Sequence, residues 1–588
     1  MRLAMRMRPG HENAMKREFP FILLDDARAG SEKQTLYENP ECIITTKEPD
    51  GVLSALREID KAVKSGFHAA GYFSYELGYH FEPRLSPIAP SAGDVPLLWF
   101  GLFRERKVFS GADCAGLFSK AIEGRAYAGP LRLEMDEQAY EEKFRKAQNY
   151  IRAGDVYQIN LTFPGHFHFY GDPLALYARL RMRAMAGHGA FVFDGTTSIL
   201  SLSPELFYTI DGNRINAMPM KGTAARSDDA VADAALREGL AWNEKDRAEN
   251  LMIVDLIRND LGRVAKTGSV HAHDLFKVES YPTVHQMVSS IGAELREDTT
   301  IENLMRAVFP CGSVTGAPKI RAMEIIRELE ETPRGVYCGA IGAFSPDSDA
   351  SFNVAIRTII ISGNRGTLGV GSAVVADSVG QCEFEECLLK AQYFTRSHAP
   401  IGLIETLRYD PKQGYLRLDF HLARLEAGAE KLNISYDKRV ARDSMAAAVR
   451  NIGESVRVRL QLFEDGRVDV TVQKFDAPNA DAVWSYVVSE HSVKSADMLA
   501  RYKTNWRDLY EAERAKWNKC GIDEVMFLNE RGEIAEGSVS NVFVRVDGEL
   551  VTPPLSSGAL DGCLRRSLIE NGTCVERVLL PADSERAE

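Results

Sequence analysis

Gly154-Asp155-Val156-Tyr157-Gln158-Ile159-Asn160-Leu161 is the stretch on which the reading of the fold turns. Ahead of it, Asp136 can cap a helix in which Tyr140, Phe144, Ala147 and Ile151 recur at helical spacing, and Gly154 supplies the stop. Within it begins a run, 156–163, with the β-branched and aromatic composition of a strand. Further out, helices are predicted over 245–261, over 319–329 with Ile320, Met323, Ile326 and Leu329 on one apolar face, and over 383–394. The pattern changes between Ser397 and Pro400, and a new strand-like run starts at Ile401. The predicted organisation is a disordered leader over 1–18, a first domain over 19–398 and a second over 399–588. In the second domain, 421–432 reads as an amphipathic helix, and 525–528, 529–532 and 541–546 as strand, turn and strand. Asp547-Gly548 supplies a hairpin turn.

Size and composition agree with division into domains. The chain has 588 residues, whereas single cores stop growing at roughly 250–300. No apolar run approaches the ~20 residues needed to cross a bilayer, so no membrane partner is expected. The basic start, Met1 to Arg17, lacks the apolar core of a signal peptide. A net charge of -12 without a dense basic tract argues against nucleic acid and for a small metabolite. Nine cysteines without a repeated Cys-x-x-Cys spacing read as reduced thiols in the cytoplasm rather than zinc ligands.

Three further stretches follow the first in order: Pro219-Met220-Lys221-Gly222-Thr223, Arg247-Ala248-Glu249-Asn250 running into Asp255-Leu256-Ile257-Arg258-Asn259-Asp260, and Thr315-Gly316-Ala317-Pro318-Lys319. Together the four resemble the chorismate-utilising family of anthranilate, isochorismate and aminodeoxychorismate synthases, over roughly Pro20 to Phe394. The resemblance implies an α+β fold with two packed antiparallel sheets and surrounding helices, and chorismate as substrate. The ring hydroxyl is a poor leaving group beside two carboxylates, so the chemistry needs a cation and an acid. Glu383 and Glu386, i and i+3 on one helix, can share a face and hold Mg²⁺ with Glu249. Taken alone, such a pair reads as a solvated helix face. Lys221 matches the nucleophile of aminodeoxychorismate synthases, where anthranilate synthases carry a small residue, and Glu205 matches the general acid. Gln158 stands where water-adding relatives have a basic lysine, which points to an amine nucleophile. Substrate carboxylates are assigned to Arg357, Tyr337, Lys319, Thr315 and the amides around Gly369, Gly371 and Ser372. Asp25 and Asp26 replace the Leu-Leu-Glu-Ser of tryptophan-sensitive relatives. Gln286 stands where anthranilate synthases have a ring-contacting histidine.

Five more motifs follow: Leu403-Ile404-Glu405-Thr406-Leu407-Arg408, His421-Leu422-Ala423-Arg424-Leu425, Tyr502-Lys503-Thr504-Asn505, Ile534-Ala535-Glu536-Gly537-Ser538-Val539-Ser540-Asn541, and Gly562-Cys563-Leu564-Arg565. They resemble the fold-type IV pyridoxal 5'-phosphate enzymes, a group that includes branched-chain aminotransferases and aminodeoxychorismate lyase. The resemblance implies a smaller two-subdomain α+β domain. Lys503 would bond the cofactor and move the substrate proton, and Glu536 would keep its pyridine nitrogen protonated. Arg424, Ser540, Asn541 and Leu564 are candidates for its phosphate, and an apolar Leu564 before the arginine leans toward a lyase. The two resemblances together imply p-aminobenzoate synthesis from chorismate. No Gly-x-Cys-x-Gly elbow is present, so ammonia is expected from a separate class I glutaminase subunit. Anthranilate synthesis, and a second domain that is a scaffold or an aminotransferase, stand as alternatives.

Overall fold

The computed structural model describes residues 19–585 apart from 29, 31, 92, 112, 115, 117, 119–125, 228, 281–283, 396–399, 476–481, 498 and 500. The leader expected over 1–18 and the junction residues 397–399 lie outside the described residues. The chain divides between residues 398 and 399 into two compact units.

The first unit is built on two sheets whose described pairings are antiparallel. Along the first run Gln158–Gly171, Arg365–Val374, Thr358–Ser362, Thr197–Ser203, His188–Phe193, Phe21–Asp26 and Lys33–Glu38. Along the second run Met220–Ala225, Val284–Glu294, Arg214–Met218, Leu206–Asp211, Ala350–Val354, Ala340–Phe344, His68–Phe73 and Leu98–Phe103. Ile22, Val192 and Ile199 meet Tyr72, Trp99 and Ile341 in the layer between the sheets. On the outer face of the first sheet, helices Glu137–Arg152, Pro173–Ala184, Lys319–Leu329 and Gly380–Thr395 bury Tyr140, Leu180, Ile326 and Phe384. Helices Val52–Lys64, Glu244–Gly262 and Ile301–Val308 cover the second sheet through Leu56, Ile253 and Met305. Each such side chain, fully buried, contributes about 1.5–3 kcal/mol. Being covered on both faces explains why Thr197–Ser203 is buried at every residue and shows no alternation.

The helix start expected at Asp136 holds, whereas the helices expected from 383 and 421 begin one turn earlier, as Gly380–Thr395 and Leu418–Leu432. Asp136 accepts a hydrogen bond from Ala139 N at 2.9 Å, and Gly154 takes the left-handed conformation, φ 81°, after the helix ends. The strand predicted over 156–163 is longer, Gln158–Gly171, because the whole length pairs with neighbours. Ile320 departs from its predicted apolar face and is 37% exposed. It lies in the first turn, where side chains lean back past the helix start, and Ala322 and Ile325 take its place in the core. Asp25 is buried, held by Arg181 at 2.6 Å and by the Tyr177 hydroxyl at 2.9 Å.

In the second unit, Gly402–Asp410 pairs with Val456–Phe463, which pairs with Val468–Lys474. Val456, Val458, Leu460 and Leu462 point inward and Arg457 and Arg459 outward, the period-two pattern of a half-covered sheet. A second part carries two three-stranded sheets, one of Tyr486–Val488, Glu524–Leu528 and Ile534–Gly537. The strand predicted over 541–546 is shortened to Val544–Val546, and Ile534–Gly537 is the partner of Glu524–Leu528 instead. Asp547 and Gly548 both have positive φ, 52° and 78°, as a tight hairpin turn requires.

Candidate active sites

Lys221 lies on an edge strand, Met220–Ala225, whose register slips between Met220, opposite Val288, and Thr223, opposite Gln286. The bulge lifts Lys221 and Gly222 out of the ladder and re-aims the lysine. Gly222 has φ +94°, and a Cβ there would stand 3.1 Å from Asp246, so this corner suits glycine alone. The lysine side chain is half-buried by area, while its ammonium is surrounded by protein. Burial pulls its pKa below the ordinary lysine value, assisted by Lys390 and opposed by Glu249, Glu386 and Glu205.

Glu205 lies in the turn between Thr197–Ser203 and Leu206–Asp211 and is 4% exposed. Burial pushes its carboxyl up to about 7, although the Ser313 hydroxyl, Lys221 and Lys390 pull the other way. Ser313 Oγ donates to Glu205 Oε1 at 2.6 Å, and Glu205 N donates to Ser203 Oγ at 3.1 Å. A hydrogen-bonded series continues from this corner, with Asn160 Nδ2 donating to Ser313 O at 3.0 Å and Gln158 Nε2 to Asn160 Oδ1 at 3.3 Å. Gln158 Oε1 is buried and without a partner among the described residues.

The predicted metal ligands occupy two helices, Glu249 on Glu244–Gly262 and Glu383 and Glu386 on Gly380–Thr395. All three are hard oxygen donors of the kind Mg²⁺ prefers, and both Glu249 and Glu386 act on Lys221. Their oxygens are nonetheless not gathered within 4.8 Å of one another. Glu383 accepts from Ser378 Oγ at 2.7 Å, and Lys390 Nζ is 2.7 Å from Glu386 Oε1. Burial pushes Glu383 up. At Glu386 burial is outweighed by Lys390, Lys221 and Lys245, which hold that carboxyl below its usual range.

Arg357 joins a strand of one sheet, Ala350–Val354, to a strand of the other, Thr358–Ser362, with φ 48°. A left-handed arginine is strained, as residues at ligand sites often are. Tyr337 is buried against the strand Arg365–Val374, where a Cβ on Gly369 would fall 2.2 Å from its ring. Pairing with Thr358–Ser362 stops at Leu368, while pairing with Gln158–Gly171 runs on to Val374, so one edge from Gly369 onward is open. Gly371 O, on that edge, accepts from Lys390 Nζ at 3.0 Å.

Three predicted substrate ligands are already committed to the scaffold. Lys319 Nζ lies 2.6 Å from Asp260 Oδ2 and donates to Val308 O at 3.0 Å, partners that take up two of its three N–H groups. Thr315 is fully buried, its hydroxyl donating to Cys311 O at 2.8 Å. The Ser372 hydroxyl bonds Tyr140 at 2.8 Å, and its backbone pairs with Leu161 in the sheet. Sequence reasoning passed over Ser313 and Lys390. The second was within reach, since it follows Glu386 at i+4 on the same helix.

In the second unit, Lys503 Nζ donates to Thr406 Oγ1 at 3.3 Å. Burial, then Arg424 and Arg507, bring its pKa down to about 8 against the pull of Glu405. Glu536, on Ile534–Gly537, is 5% exposed and accepts from Leu560 N at 3.0 Å. Arg424 donates through Nε and Nη2 to Glu405 at 2.8 and 2.6 Å and through Nη1 to Asp561 O at 2.9 Å. Of five guanidinium N–H groups, these use three. Glu405, His421 and Cys563 bring ligand atoms within 4.8 Å of one another, but Arg424 already holds the carboxylate through both oxygens.

The side chains of two predicted phosphate ligands are otherwise engaged, which leaves their amides as the groups proposed. The Ser540 hydroxyl donates to Glu524 Oε2 at 2.6 Å and Asn541 Nδ2 to Leu560 O at 2.9 Å. Leu564 has a 44% exposed side chain and offers its amide at the start of helix Cys563–Glu570. A titratable amine, a buried carboxylate and a helix N-terminus with a nearby arginine fit a phosphorylated pyridine cofactor.

Comparison with known proteins gives both units relatives. Residues 19–396 match the chorismate binding enzyme family and residues 402–588 the class IV amino-transferases. An aminodeoxychorismate synthase of Streptomyces griseus is 48% identical over 264 residues, covering 45% of this chain and 36% of that protein. Aminodeoxychorismate synthase component 1 of Escherichia coli (strain K12) is 39% identical over 335 residues, covering 54% of this chain and 74% of that one. The crystal structure of anthranilate synthase component I from Streptococcus pneumoniae TIGR4 superposes with a TM-score of 0.51 at 25% identity, covering 66% of this chain and 96% of that one. Among the described residues no helix is long and apolar enough to cross a membrane. The chain thus belongs to the chorismate binding enzyme family and carries, behind that domain, a second one of the class IV amino-transferase kind.

Proposed function

We propose that the chain makes p-aminobenzoate from chorismate in two steps, one in each unit. The observation that carries this is Lys221, on a bulged strand with its pKa lowered, in the same field as a buried acid, Glu205, whose pKa is about 7. A lysine so placed reaches its neutral, nucleophilic form far more readily than a surface ammonium. Its nitrogen bonds a ring carbon as the ring hydroxyl's C–O bond breaks, and Glu205 gives the departing oxygen its proton, so that water leaves. Ammonia then bonds the carbon that lost oxygen, the bond to Lys221 breaks, and the proton lost from nitrogen resets Glu205. The product is 4-amino-4-deoxychorismate. Gln158, which cannot act as a base, leaves water unactivated and favours ammonia. Arg357, Tyr337 and the open edge at Gly369 and Gly371 would orient the substrate carboxylates. Mg²⁺, held by Glu249, Glu383 and Glu386, would neutralise carboxylate charge as the hydroxyl leaves.

In the second unit, pyridoxal phosphate, held by Lys503, Glu536, Arg424 and the Leu564 amide, would draw electrons from the substrate so that pyruvate is eliminated. Lys503, with a pKa of about 8, moves the proton, and Glu536 would keep the cofactor nitrogen protonated. Loss of pyruvate leaves the ring aromatic. Ammonia comes from a separate glutaminase; that the E. coli relative is called component 1 supports a partner.

Purified chain with chorismate, ammonium, Mg²⁺ and pyridoxal phosphate should yield p-aminobenzoate and pyruvate by chromatography. Anthranilate in its place would overturn the first step. Accumulated 4-amino-4-deoxychorismate without p-aminobenzoate would overturn the second and leave the C-terminal domain a scaffold or an aminotransferase, the latter detected by keto-acid acceptors.

A further inference from the structure

Lys390 stands between the two halves of the first site. On the helix Gly380–Thr395 it shares a face with Glu383 and Glu386, at i+7 and i+4. Its ammonium meets the Glu386 carboxylate at 2.7 Å and donates to Gly371 O at 3.0 Å on the open strand edge assigned to the substrate. Glu383 is meanwhile turned to Ser378 at 2.7 Å, and the three assigned metal ligands do not converge within 4.8 Å. The carboxylates are therefore chemically right for a hard dication but are held apart by partners of the protein's own.

We infer that Lys390 is an internal counter-ion that fills the place of the divalent cation, and that binding Mg²⁺ exchanges it off Glu386 toward the anionic substrate. The inference rests on the proposed function, deepening its account of the metal. A dication attracts a carboxylate more strongly than a single ammonium does, so exchange is favourable once Mg²⁺ is present. The ammonium then keeps one neutral carbonyl partner, Gly371 O, a weaker contact than the carboxylate it loses. It is left beside Gly369 and Gly371 with its charge unpaired, where a substrate carboxylate can take it. Lys390 thus adds to the assistance that Mg²⁺ and the anionic substrate give each other's binding, and by linkage that assistance is mutual.

The test is calorimetric titration of Mg²⁺ into the full chain, without ammonia and on a Lys221→Ala background that prevents reaction, with and without chorismate. Half-exposed ion pairs contribute about 0–1 kcal/mol, so Lys390→Met should tighten Mg²⁺ binding to the substrate-free protein up to about five-fold. It should also lessen, by the share carried through Lys390, the gain in Mg²⁺ affinity that chorismate gives, whereas Lys390→Arg should keep both properties of the parent. Unchanged unfolding temperatures establish that the variants are folded; should Lys390→Met fail this control, Lys390→Gln takes its place with the same expectation. Equal Mg²⁺ affinity in parent and Met variant, or weaker binding in the variant, overturns the exchange but leaves the metal site. If no variant binds Mg²⁺ with or without chorismate, the metal assignment itself falls and the exchange with it.

Discussion

On the proposed mechanism, Glu205 and Lys221 should set the pH dependence of the first step from opposite sides. A proton donor acts only while protonated, so the rate should fall as pH rises through about 7, the value to which burial brings Glu205. A nucleophilic amine acts only when neutral, so Lys221 supplies the acidic limb. Glu205→Gln should lower kcat by about 10²–10⁴-fold and remove the alkaline limb. Ser313→Ala gives a finer check. The Ser313 hydroxyl at 2.6 Å favours the charged carboxylate, so its loss should raise the Glu205 pKa and carry the alkaline limb to higher pH. A limb that stays in place, or moves down, would separate it from Glu205.

At the scale of elements, the bulge in Met220–Ala225 and the open edge of Arg365–Val374 shape the proposed site. Gly222→Ala puts a side chain at φ +94°, costing about 1–2 kcal/mol, and turns the lysine. Its activity with ammonium should fall by more than its unfolding temperature explains. Gly369→Ala drives a methyl to 2.2 Å from the Tyr337 ring and should lower kcat/KM for chorismate by about 10²-fold through misplacement of that tyrosine. Neither bulge nor edge was legible in the sequence, because both are properties of pairing between distant strands. What was legible is local: the Asp136 cap, the helix 245–261, seen as Glu244–Gly262, and the Asp547-Gly548 turn depend on residues a few positions apart. The partners of Lys319 and Thr315 were not legible for the complementary reason. Their motif was recognised, but Asp260 and Cys311, which bind them, are tertiary partners.

At the scale of the whole molecule, the two proposed steps should fail separately. Lys503→Ala should lose the cofactor's visible absorbance and accumulate 4-amino-4-deoxychorismate from chorismate and ammonium. Lys221→Ala should form p-aminobenzoate only when that intermediate is supplied. Glutamine should replace ammonium only after a glutaminase is added; turnover with glutamine and no added subunit would remove the need for a partner. The proposed bond between Lys221 and the substrate ring decides the first step. It is tested most directly by intact-protein and peptide mass spectrometry after incubation with chorismate and Mg²⁺ without ammonia. The expected result is a mass gain of chorismate less one water on the peptide bearing Lys221, discharged when ammonium is added. An unmodified Lys221, together with a Lys221→Ala chain that forms 4-amino-4-deoxychorismate at the parent rate, would contradict it.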